Sequence, residues 1–140
     1  MIRAIELTDR DSWERLFVDY GVFYETNFDD EIVESTWRRL LDPTEGIDAL
    51  VAEVDGAVVG FAHYRSHPDT FSTGRDWFLD DLFTAPEARG HGIATQLIEH
   101  LKQLADGTLR WITAESNTTA QRVYDKVATK TSWVTYEVRK

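Results

Sequence analysis

Arg89-Gly90-His91-Gly92-Ile93-Ala94 is the stretch of this 140-residue chain that decides its fold. It follows an apolar, acid-containing run over residues 77–83 and leads directly into an amphipathic segment over residues 93–104. This order predicts a strand, a glycine turn and a helix. The start of a helix presents unpaired backbone N–H groups and the positive end of the helix dipole, and glycines let a bulky anion approach that backbone. The stretch therefore predicts a site for a phosphate or a pyrophosphate.

Two common phosphate-binding motifs do not fit this stretch. A Walker loop ends in Gly-Lys-Ser/Thr, and the chain contains no such triplet. A dinucleotide-binding fingerprint needs G-x-G-x-x-G, and position 95 is Thr rather than Gly. The pattern that remains is Arg-x-x-Gly-x-Ala, read at Arg89, Gly92 and Ala94.

This pattern resembles the acyl-coenzyme A pyrophosphate loop of the GNAT superfamily of N-acetyltransferases. The wider phrase over residues 79–90, Leu-Asp-Asp-Leu-Phe-Thr-Ala-Pro-Glu-Ala-Arg-Gly, is similar to the strand and loop of the diamine and polyamine acetyltransferase branch. The resemblance implies acetyl-CoA as the co-substrate. It covers nearly the whole chain and is specific over residues 79–94.

The resemblance also implies how the co-substrate is held. The backbone N–H groups of residues 89–95 bind the pyrophosphate, and the strand end at residues 82–84 pairs with the pantetheine arm. The Leu82 N–H then meets the acetyl carbonyl, an oxyanion-hole role worth about 3 kcal/mol. A β-bulge commonly splays this strand from its neighbour, residues 109–114. The residues that the resemblance places against the co-substrate are Leu82, Phe83, Thr84, Arg89, Gly90, His91, Gly92, Ile93, Ala94, Thr95 and Asn117.

Composition bounds the class of protein. The length and the 42% hydrophobic content predict one globular domain over residues 1–140, with no apolar run long enough to span a membrane. The absence of a secretory signal pattern predicts a cytoplasmic protein. The chain has no cysteine, which excludes disulfides and a cysteinyl acyl-enzyme, so acetyl transfer would be direct. The four histidines show no ligand spacing, so no metal site is expected.

The net charge of −10 bears on the partners of the protein. It argues against a nucleic-acid partner, which requires a basic face. It suits a cationic substrate, because a negative field concentrates cations near the site. Acidity that serves solubility alone explains the charge equally well.

Periodicity predicts a mixed α/β sheet with helices on both faces. The resemblance implies that this is a GNAT-like fold with a shortened C-terminus. Strands are expected over residues 2–7, 49–54, 57–64, 75–84, 109–114 and 133–138. Helices are expected from a Thr8–Asp11 capping box to about Gly21, and over residues 30–41, 93–104 and 117–126. GNAT domains usually finish with a hairpin, whereas this chain ends after one strand. The open sheet edge favours a homodimer, because exposed edges invite strand addition.

Asp80 and Asp81 are the candidates for taking a proton from the incoming ammonium, directly or through a water. Adjacent strand residues face opposite sides, so only one of them points into the cleft of a regular strand. The family pattern is Leu-Glu-Asp with the first acid as the base. The resemblance therefore implies Asp80 as the catalytic base and leaves Asp81 as a candidate for binding the acceptor. The alternative is that both acids make only surface or loop contacts.

Asn117-x-x-Ala120-x-x-x-Tyr124 resembles the family's Asn-x-x-Ala-x-x-x-Tyr helix. The resemblance implies that the Tyr124 hydroxyl protonates the leaving thiolate and that Asn117 contacts the co-substrate. Asn117 is also a good N-cap, a role that needs no ligand. A tyrosine on a helix can equally serve packing alone.

Tyr24, Glu25, His63, Tyr64 and Asp81 are the remaining candidates for the acceptor pocket, since aromatic faces and carboxylates suit a cation. Core aromatics and a solvated glutamate explain the first four equally well. The leading hypothesis is an acetyl-CoA-dependent N-acetyltransferase of a polyamine or diamine, with a protein lysine side chain as the second choice. A catalytically silent acyl-CoA-binding sensor is the alternative from another class, although it would not need the acid and the tyrosine.

Overall fold

The computed structural model describes residues 1–140, which build one five-stranded sheet in the order β1-β2-β3-β4-β5. The strands are β1 (Ile2–Ala4), β2 (Ile47–Val54), β3 (Ala57–Pro68), β4 (Arg75–Thr84) and β5 (Leu109–Arg110). The helices are α1 (Arg10–Phe23), α2 (Asp30–Leu41), α3 (Ile93–Leu104) and α4 (Thr118–Tyr124). The pairs from β1 to β4 are antiparallel, and β5 runs parallel to β4. No helix combines the length and the apolar character needed to cross a membrane.

The sheet has an apolar core on each face, which confirms the predicted arrangement of helices. Ala49 and Val51 of β2 belong to one buried cluster with residues of α1 and α2. Leu50 and Ala52 belong to a second cluster with residues of α3. Because successive strand residues point to opposite faces, the two clusters lie on opposite sides of the sheet.

The hairpin between β2 and β3 turns at Asp55–Gly56, as the sequence predicts. Both residues have positive φ angles, +51° and +80°. Two consecutive left-handed residues are the requirement of the tight turn whose twist matches a right-handed strand pair. The neighbouring pair of β3 and β4 places His63 opposite Asp81.

The beginning of α1 differs from the prediction. The Thr8–Asp11 capping box is wrong: residues 7–9 form a short 3-10 turn, and the Asp9 carboxylate accepts the Glu6 N–H at 2.8 Å. Arg3 holds the same carboxylate with two hydrogen bonds of 2.8 and 2.9 Å. A bidentate arginine pair is stronger than a neutral capping bond, so the tertiary contact selects Asp9.

Gly21 does not end α1, which continues to Phe23. A Cβ at Gly21 would lie 2.8 Å from the Phe28 ring and 2.9 Å from the Thr26 carbonyl. The glycine therefore serves close packing of the following loop over the helix. Tyr24 and Glu25 lie in the turn between the end of α1 and this loop.

Three predicted strands are shorter than expected or absent. The first strand stops at Ala4, and the strand expected over residues 109–114 pairs only at Leu109 and Arg110. Residues 133–138 form no strand. A strand requires a partner for its backbone groups, and beyond Arg110 and in the C-terminal segment this single chain supplies none.

Candidate active site

A cleft opens where β4 and β5 diverge. The two strands pair at Trp77 with Leu109 and at Phe78 with Arg110 and then separate. Asp80 is the extra residue of a bulge in β4, because Tyr64 pairs with Leu79 and His63 pairs with Asp81. A bulge bends its strand and increases the local twist, in agreement with the splayed strands that the family resemblance implies. The cleft is lined by Tyr20, Tyr24, Leu79, Asp80, Leu82, Trp111, Ile112, Thr113 and Tyr124.

The glycine turn before α3 presents a row of backbone donors. Gly90 and Gly92 have φ angles of +84° and +74°, which favour glycine. The first backbone bond of the helix runs from the Gln96 N–H to the Gly92 carbonyl at 2.9 Å. The N–H groups of residues 90–95 donate to no protein group. Six consecutive free donors at a helix start form a concave site for an anion.

Open space lies in front of these donors. A Cβ placed on Gly90 or on Gly92 would meet no atom within 4 Å. The donor set consists of uncharged N–H groups on the positive end of a 12-residue helix. Its residues therefore fit the pyrophosphate of a coenzyme A ester.

Packing fixes the position of α3. Its buried residues are Ile93, Leu97, Ile98 and Leu101, and they pack on β2 and β4 residues. At the helix start, a Cβ on Gly60 of β3 would lie 3.0 Å from the Phe83 carbonyl and 3.1 Å from Ile93. Gly60 thus lets Ile93 sit directly on the sheet. The helix start is held beside the end of β4.

The Arg89 side chain turns back toward β4. Its Nε donates to the Thr84 carbonyl at 3.1 Å. Its guanidinium lies 5.4 Å from the centre of the Phe83 ring and 5.9 Å from that of Phe23. Arg89 therefore braces the loop, and Phe83, whose ring is buried, can meet a ligand only through its backbone.

A hydrogen-bonded chain connects Trp13, His63, Asp81 and Tyr20. The Trp13 indole Nε1 lies 2.9 Å from His63 Nε2, and His63 Nδ1 lies 2.9 Å from Asp81 Oδ2. The Tyr20 hydroxyl donates to Asp81 Oδ1 at 2.7 Å. Trp13 and His63 are fully buried. An indole N–H can only donate, so His63 Nε2 accepts, and the proton of the neutral ring is on Nδ1 and is donated to Asp81.

Asp81 is consequently held as an ionised carboxylate. Burial raises the pKa of Asp81, but the hydrogen bond from His63, the electrostatic attraction of His63 and the hydrogen bond from Tyr20 together outweigh burial and hold the pKa below its ordinary value. Both partners are neutral, and the carboxylate retains 26% of its side-chain exposure. Burial and the Asp81 charge in turn raise the pKa of Tyr24, a cleft residue. An ionised carboxylate behind the cleft attracts a cation.

Asp80 has a different environment. Both of its carboxylate oxygens accept from Arg65 Nε, at 2.9 and 3.1 Å. The Arg65 guanidinium also lies over the Phe78 ring at 4.7 Å. Asp80 therefore lines the cleft as one half of an ion pair.

Tyr124 stands on the opposite wall. Asn117 caps its helix by accepting the Ala120 N–H at 3.2 Å, which confirms the predicted N-cap. Gln121 ties the same helix to the Ala114 and Glu115 carbonyls at 3.2 and 2.8 Å. The Tyr124 ring meets Trp111 edge-on, with centroids 5.4 Å apart. Burial raises the pKa of Tyr124, so its hydroxyl is protonated at neutral pH and can donate a proton.

Only one of the five acceptor-pocket candidates is among the residues that line the cleft. Asp81 lies behind the lining, where its carboxylate accepts a hydrogen bond from the lining residue Tyr20, and Tyr64 stacks on Trp77. Glu25 is exposed, has a φ of +56° in the turn after α1, and does not line the cleft. His63 is buried behind Asp81 and does not line it either. Tyr24 does line the cleft. No group of three or more His, Asp or Glu side chains lies close enough to hold a metal ion.

Sequence reasoning missed Trp13, Tyr20 and the segment over residues 111–113. Trp13 and Tyr20 fall on the apolar stripe of α1, which indicates core positions. No spacing in the sequence connects Trp13 to His63, fifty residues away. Only the strand pairing beneath α1 brings them together.

Comparison with known proteins agrees with this geometry. Residues 10–128 match the acetyltransferase (GNAT) family. The D-amino-acid N-acetyltransferase HPA3 of Saccharomyces cerevisiae is 34% identical over 98% of this chain and 89% of its own length. A ribosomal-protein-alanine N-acetyltransferase structure from Brucella melitensis biovar Abortus 2308 matches with a TM-score of 0.82 and 26% identity, covering 100% of this chain and 99% of that one.

A third comparison concerns the fold alone. The aminoglycoside N-acetyltransferase AAC(6')-Iy in complex with CoA matches with a TM-score of 0.83 and 21% identity, over 100% of this chain and 94% of that one. None of these three proteins is described as a diamine or polyamine acetyltransferase, so that predicted branch is not confirmed. The chain belongs to the acetyltransferase (GNAT) family and is an acetyl-CoA-dependent N-acetyltransferase.

Proposed function

We propose that this enzyme acetylates the amine of a small α-amino acid and that Asp81 receives the acceptor as an ammonium. The observation that carries the proposal is the Asp81 carboxylate, which is held ionised by two neutral hydrogen-bond donors behind the cleft. A carboxylate without a cationic partner is costly to bury, and an ammonium ion relieves that cost. The class of acceptor is supported by the 34% identical yeast D-amino-acid N-acetyltransferase.

An α-amino acid also carries a carboxylate, and the cleft offers a cation for it. Arg65 is bound to Asp80, a lining residue, and keeps 48% of its side-chain exposure. Asp81 would bind the ammonium of the substrate, and Arg65, the partner of Asp80, would bind its carboxylate. This arrangement matches a zwitterionic amino acid better than it matches a polycation. A diamine or polyamine is the second candidate, favoured by the net charge of −10.

The co-substrate is proposed to lie along the end of β4 that leads to α3. The backbone N–H groups of residues 90–95 would hold the pyrophosphate, and the end of β4 from Leu82 to Thr84 would lie along the pantetheine arm. Bound acetyl-CoA supplies a thioester carbonyl for attack. The proposed Leu82 N–H donor would then stabilise the oxyanion that develops on that carbonyl.

Proton transfer divides between solvent and Tyr124. The acceptor ammonium loses one proton before it forms the new N–C bond and a second one as the tetrahedral intermediate collapses to the amide. Water in the cleft takes both protons, because the lowered pKa of Asp81 makes that carboxylate a weak base. As the C–S bond breaks, the Tyr124 hydroxyl gives its proton to the thiolate and regains one from solvent. Tyr124 is thus the proposed general acid, and Asp81 is the proposed acceptor-binding residue.

The acceptor class is tested by measuring coenzyme A release with D- and L-amino acids, diamines, polyamines and a lysine peptide. We expect amino acids to give the highest kcat/KM. A higher kcat/KM for polyamines would show that the acceptor is a polyamine and not an amino acid. If the chain binds acetyl-CoA but acetylates none of these amines, the result would support a catalytically silent sensor.

Asp81→Asn tests the binding role. We expect KM for the amino acid to rise about 10- to 100-fold, as for loss of a buried charge-assisted contact, with little change in coenzyme A affinity. Glu25→Gln, which removes an exposed carboxylate outside the cleft, is the matched control and should leave KM within about 2-fold. An unchanged KM in a folded Asp81→Asn protein would remove Asp81 from the acceptor site.

A further inference from the structure

The Tyr20 hydroxyl lies between the Asp81 carboxylate and the cleft. Tyr20 is a lining residue of the cleft, whereas Asp81 and its other hydrogen-bond partner, His63, are not. The hydroxyl donates to Asp81 Oδ1 at 2.7 Å, and His63 Nδ1 lies 2.9 Å from Oδ2. Both carboxylate oxygens are therefore bound within the protein. A molecule that fills the cleft contacts Tyr20, and the Asp81 charge reaches it through that residue.

Packing fixes the Tyr20 ring independently of this hydrogen bond. The ring is half-buried on α1 and meets three other rings edge-on. The distances between ring centroids are 5.0 Å to Tyr24, 5.8 Å to Phe61 and 5.9 Å to Phe83. Phe61 and Phe83 are buried core residues, and close-packed cores hold side chains in single conformations. The position of the Tyr20 oxygen is therefore set by the core beneath the cleft.

The Tyr20 oxygen has a free lone pair. A tyrosine hydroxyl can donate one hydrogen bond and can also accept. Its proton is used in the bond to Asp81, and no protein group donates to the oxygen. Burial and the Asp81 charge raise the pKa of Tyr20, so the hydroxyl keeps this proton at neutral pH. A hydroxyl that donates to a carboxylate is also a better acceptor, because linked hydrogen bonds polarise one another.

The other polar side chains of the lining do not combine these properties. Asp80 is paired with Arg65. The hydroxyls of Tyr24, Thr113 and Tyr124 line the cleft, but none of them donates to Asp81, which is bound by Tyr20 and His63. The Tyr20 oxygen is the one lining atom that is both fixed in place and polarised by an ionised carboxylate.

We propose that Tyr20 is the residue that contacts the acceptor nitrogen: an N–H of the incoming ammonium donates to the Tyr20 oxygen, while the Tyr20 hydroxyl donates to Asp81. The assignment rests on the proposed function, in which Asp81 supplies the charge that attracts the ammonium. Asp81 is then a positioning residue that acts through Tyr20, and Tyr20 is the acceptor-binding residue.

This arrangement suits the step that follows binding. When the ammonium has lost one proton to water, the neutral amine still has N–H groups, so it remains bound to the Tyr20 oxygen. Because Asp81 holds the Tyr20 proton, the hydroxyl does not donate to the nitrogen lone pair. That lone pair stays free to attack the thioester carbonyl. Asp81 thus makes Tyr20 an acceptor of hydrogen bonds toward the cleft.

Tyr20→Phe tests the contact, because it removes the hydroxyl and keeps the ring. The assay uses whichever amine gives the highest kcat/KM in the acceptor panel. We expect KM for that amine to rise about 10-fold, as for loss of a hydrogen bond to a charged group, with kcat within about 3-fold. Coenzyme A affinity should be unchanged, which shows that the variant is folded. An unchanged KM in this folded variant would overturn the proposal.

Tyr64→Phe is the matched control. It removes the hydroxyl of another half-buried tyrosine, which stacks on Trp77 and does not line the cleft. Its KM should stay within about 2-fold of the wild type. An equal rise of KM in both variants would show a general effect of hydroxyl loss and would overturn the contact at Tyr20.

The Asp81→Ala background separates contact with the substrate from a purely structural role. Without the carboxylate there is no side chain for the Tyr20 hydroxyl to hold, so Tyr20→Phe can then change KM only through a contact of its own. We expect KM of Tyr20→Phe with Asp81→Ala to exceed that of Asp81→Ala alone by at least about 3-fold. Equal KM values would show that Tyr20 serves only to position Asp81 and would overturn the proposal.

A crystal structure with coenzyme A and the same amine needs no substitution. We expect the amine nitrogen within about 3.2 Å of the Tyr20 oxygen. A nitrogen bound to Asp81 and not to Tyr20 would overturn the contact and leave the proposed function intact. Failure of the proposed function would instead appear as an unchanged KM in Asp81→Asn or as a preference for polyamines in the acceptor panel.

Discussion

The two sides of the cleft are built in different ways. The proposed co-substrate side consists of six backbone N–H groups from consecutive residues, 90–95, at the start of one helix. The proposed acceptor side consists of side chains from α1, β3, β4, α4 and the segment after β5. A backbone site needs only a local conformation, whereas a side-chain site needs distant elements to pack correctly. Substitutions should therefore damage the two sides through different physical causes.

The largest expected effect is on the backbone side. Gly92→Val should weaken coenzyme A binding by at least about 100-fold, because a side chain would occupy the space where a phosphate approaches the donors. Isothermal titration measures this affinity. Gly46→Val is a matched control, since Gly46 has a φ of +79° and a Cβ there also meets nothing within 4 Å. Both variants carry the same backbone strain of about 1–2 kcal/mol, so equal loss of coenzyme A affinity in both would refute the pyrophosphate site.

Tyr124→Phe tests the side-chain wall. We expect kcat to fall about 100-fold with coenzyme A affinity unchanged, because a general acid acts on the leaving group in the transition state. Steady-state kinetics and titration provide the two quantities. Tyr64→Phe, which alters a tyrosine stacked on Trp77 on the sheet, should keep its turnover. If Tyr124→Phe keeps its normal kcat, Tyr124 is not the general acid, and its role is packing against Trp111.

Trp13→Phe should have a smaller effect that depends on pH. In the wild type the lowered pKa keeps Asp81 ionised, so acceptor affinity persists down through the ordinary carboxyl range and is lost only as the pH falls through the pKa of Asp81. Without the indole donor, the neutral His63 ring can place its proton on Nε2, which removes a hydrogen bond that lowers the pKa of Asp81. We expect a KM increase of about 3-fold at neutral pH that grows as the pH falls, because Asp81 then takes up its proton at a higher pH than in the wild type.

The control for this variant is Trp37→Phe. Trp37 is a buried neighbour whose ring centre lies 5.1 Å from that of Trp13, so the change also removes core volume. It should destabilise the fold by about 1–3 kcal/mol without altering the pH profile of KM. Identical profiles for the two tryptophan variants would show that the link between Trp13 and His63 has only a structural role.

The smallest expected effect is that of Asp80→Asn. The Asp80 carboxylate is paired with Arg65 at the cleft, and exposed ion pairs contribute about 0–1 kcal/mol. We expect kcat/KM for a neutral-pH assay to change by less than about 3-fold. A 100-fold loss of kcat/KM would show that Asp80 is the base that the family pattern implies. The Asp80 carboxylate would then take the proton of the acceptor ammonium.

Prediction from sequence succeeds where the structure is local. The glycine turn, the hairpin at Asp55–Gly56 and the N-cap Asn117 each depend on a few adjacent residues whose conformational preferences are strong. The helices α2, α3 and α4 follow from apolar spacing in the same way. The capping box at Thr8 fails because Arg3 of β1 holds Asp9 in place.

By itself the sequence determined the order of elements, the two apolar faces of the sheet and the left-handed glycines that open a row of N–H donors. Only the tertiary structure decided how the two acids are placed, because the bulge at Asp80 interrupts the alternation of β4, so that Asp80 lines the cleft and Asp81 is bound by His63 and Tyr20. Only strand pairing brought His63 against Asp81 and beneath Trp13, and only the divergence of β4 and β5 opened the cleft. A backbone conformation is set by neighbours along the chain, whereas the charge of Asp81 depends on hydrogen bonds from Tyr20 and His63, whose positions depend on the packing of the whole sheet.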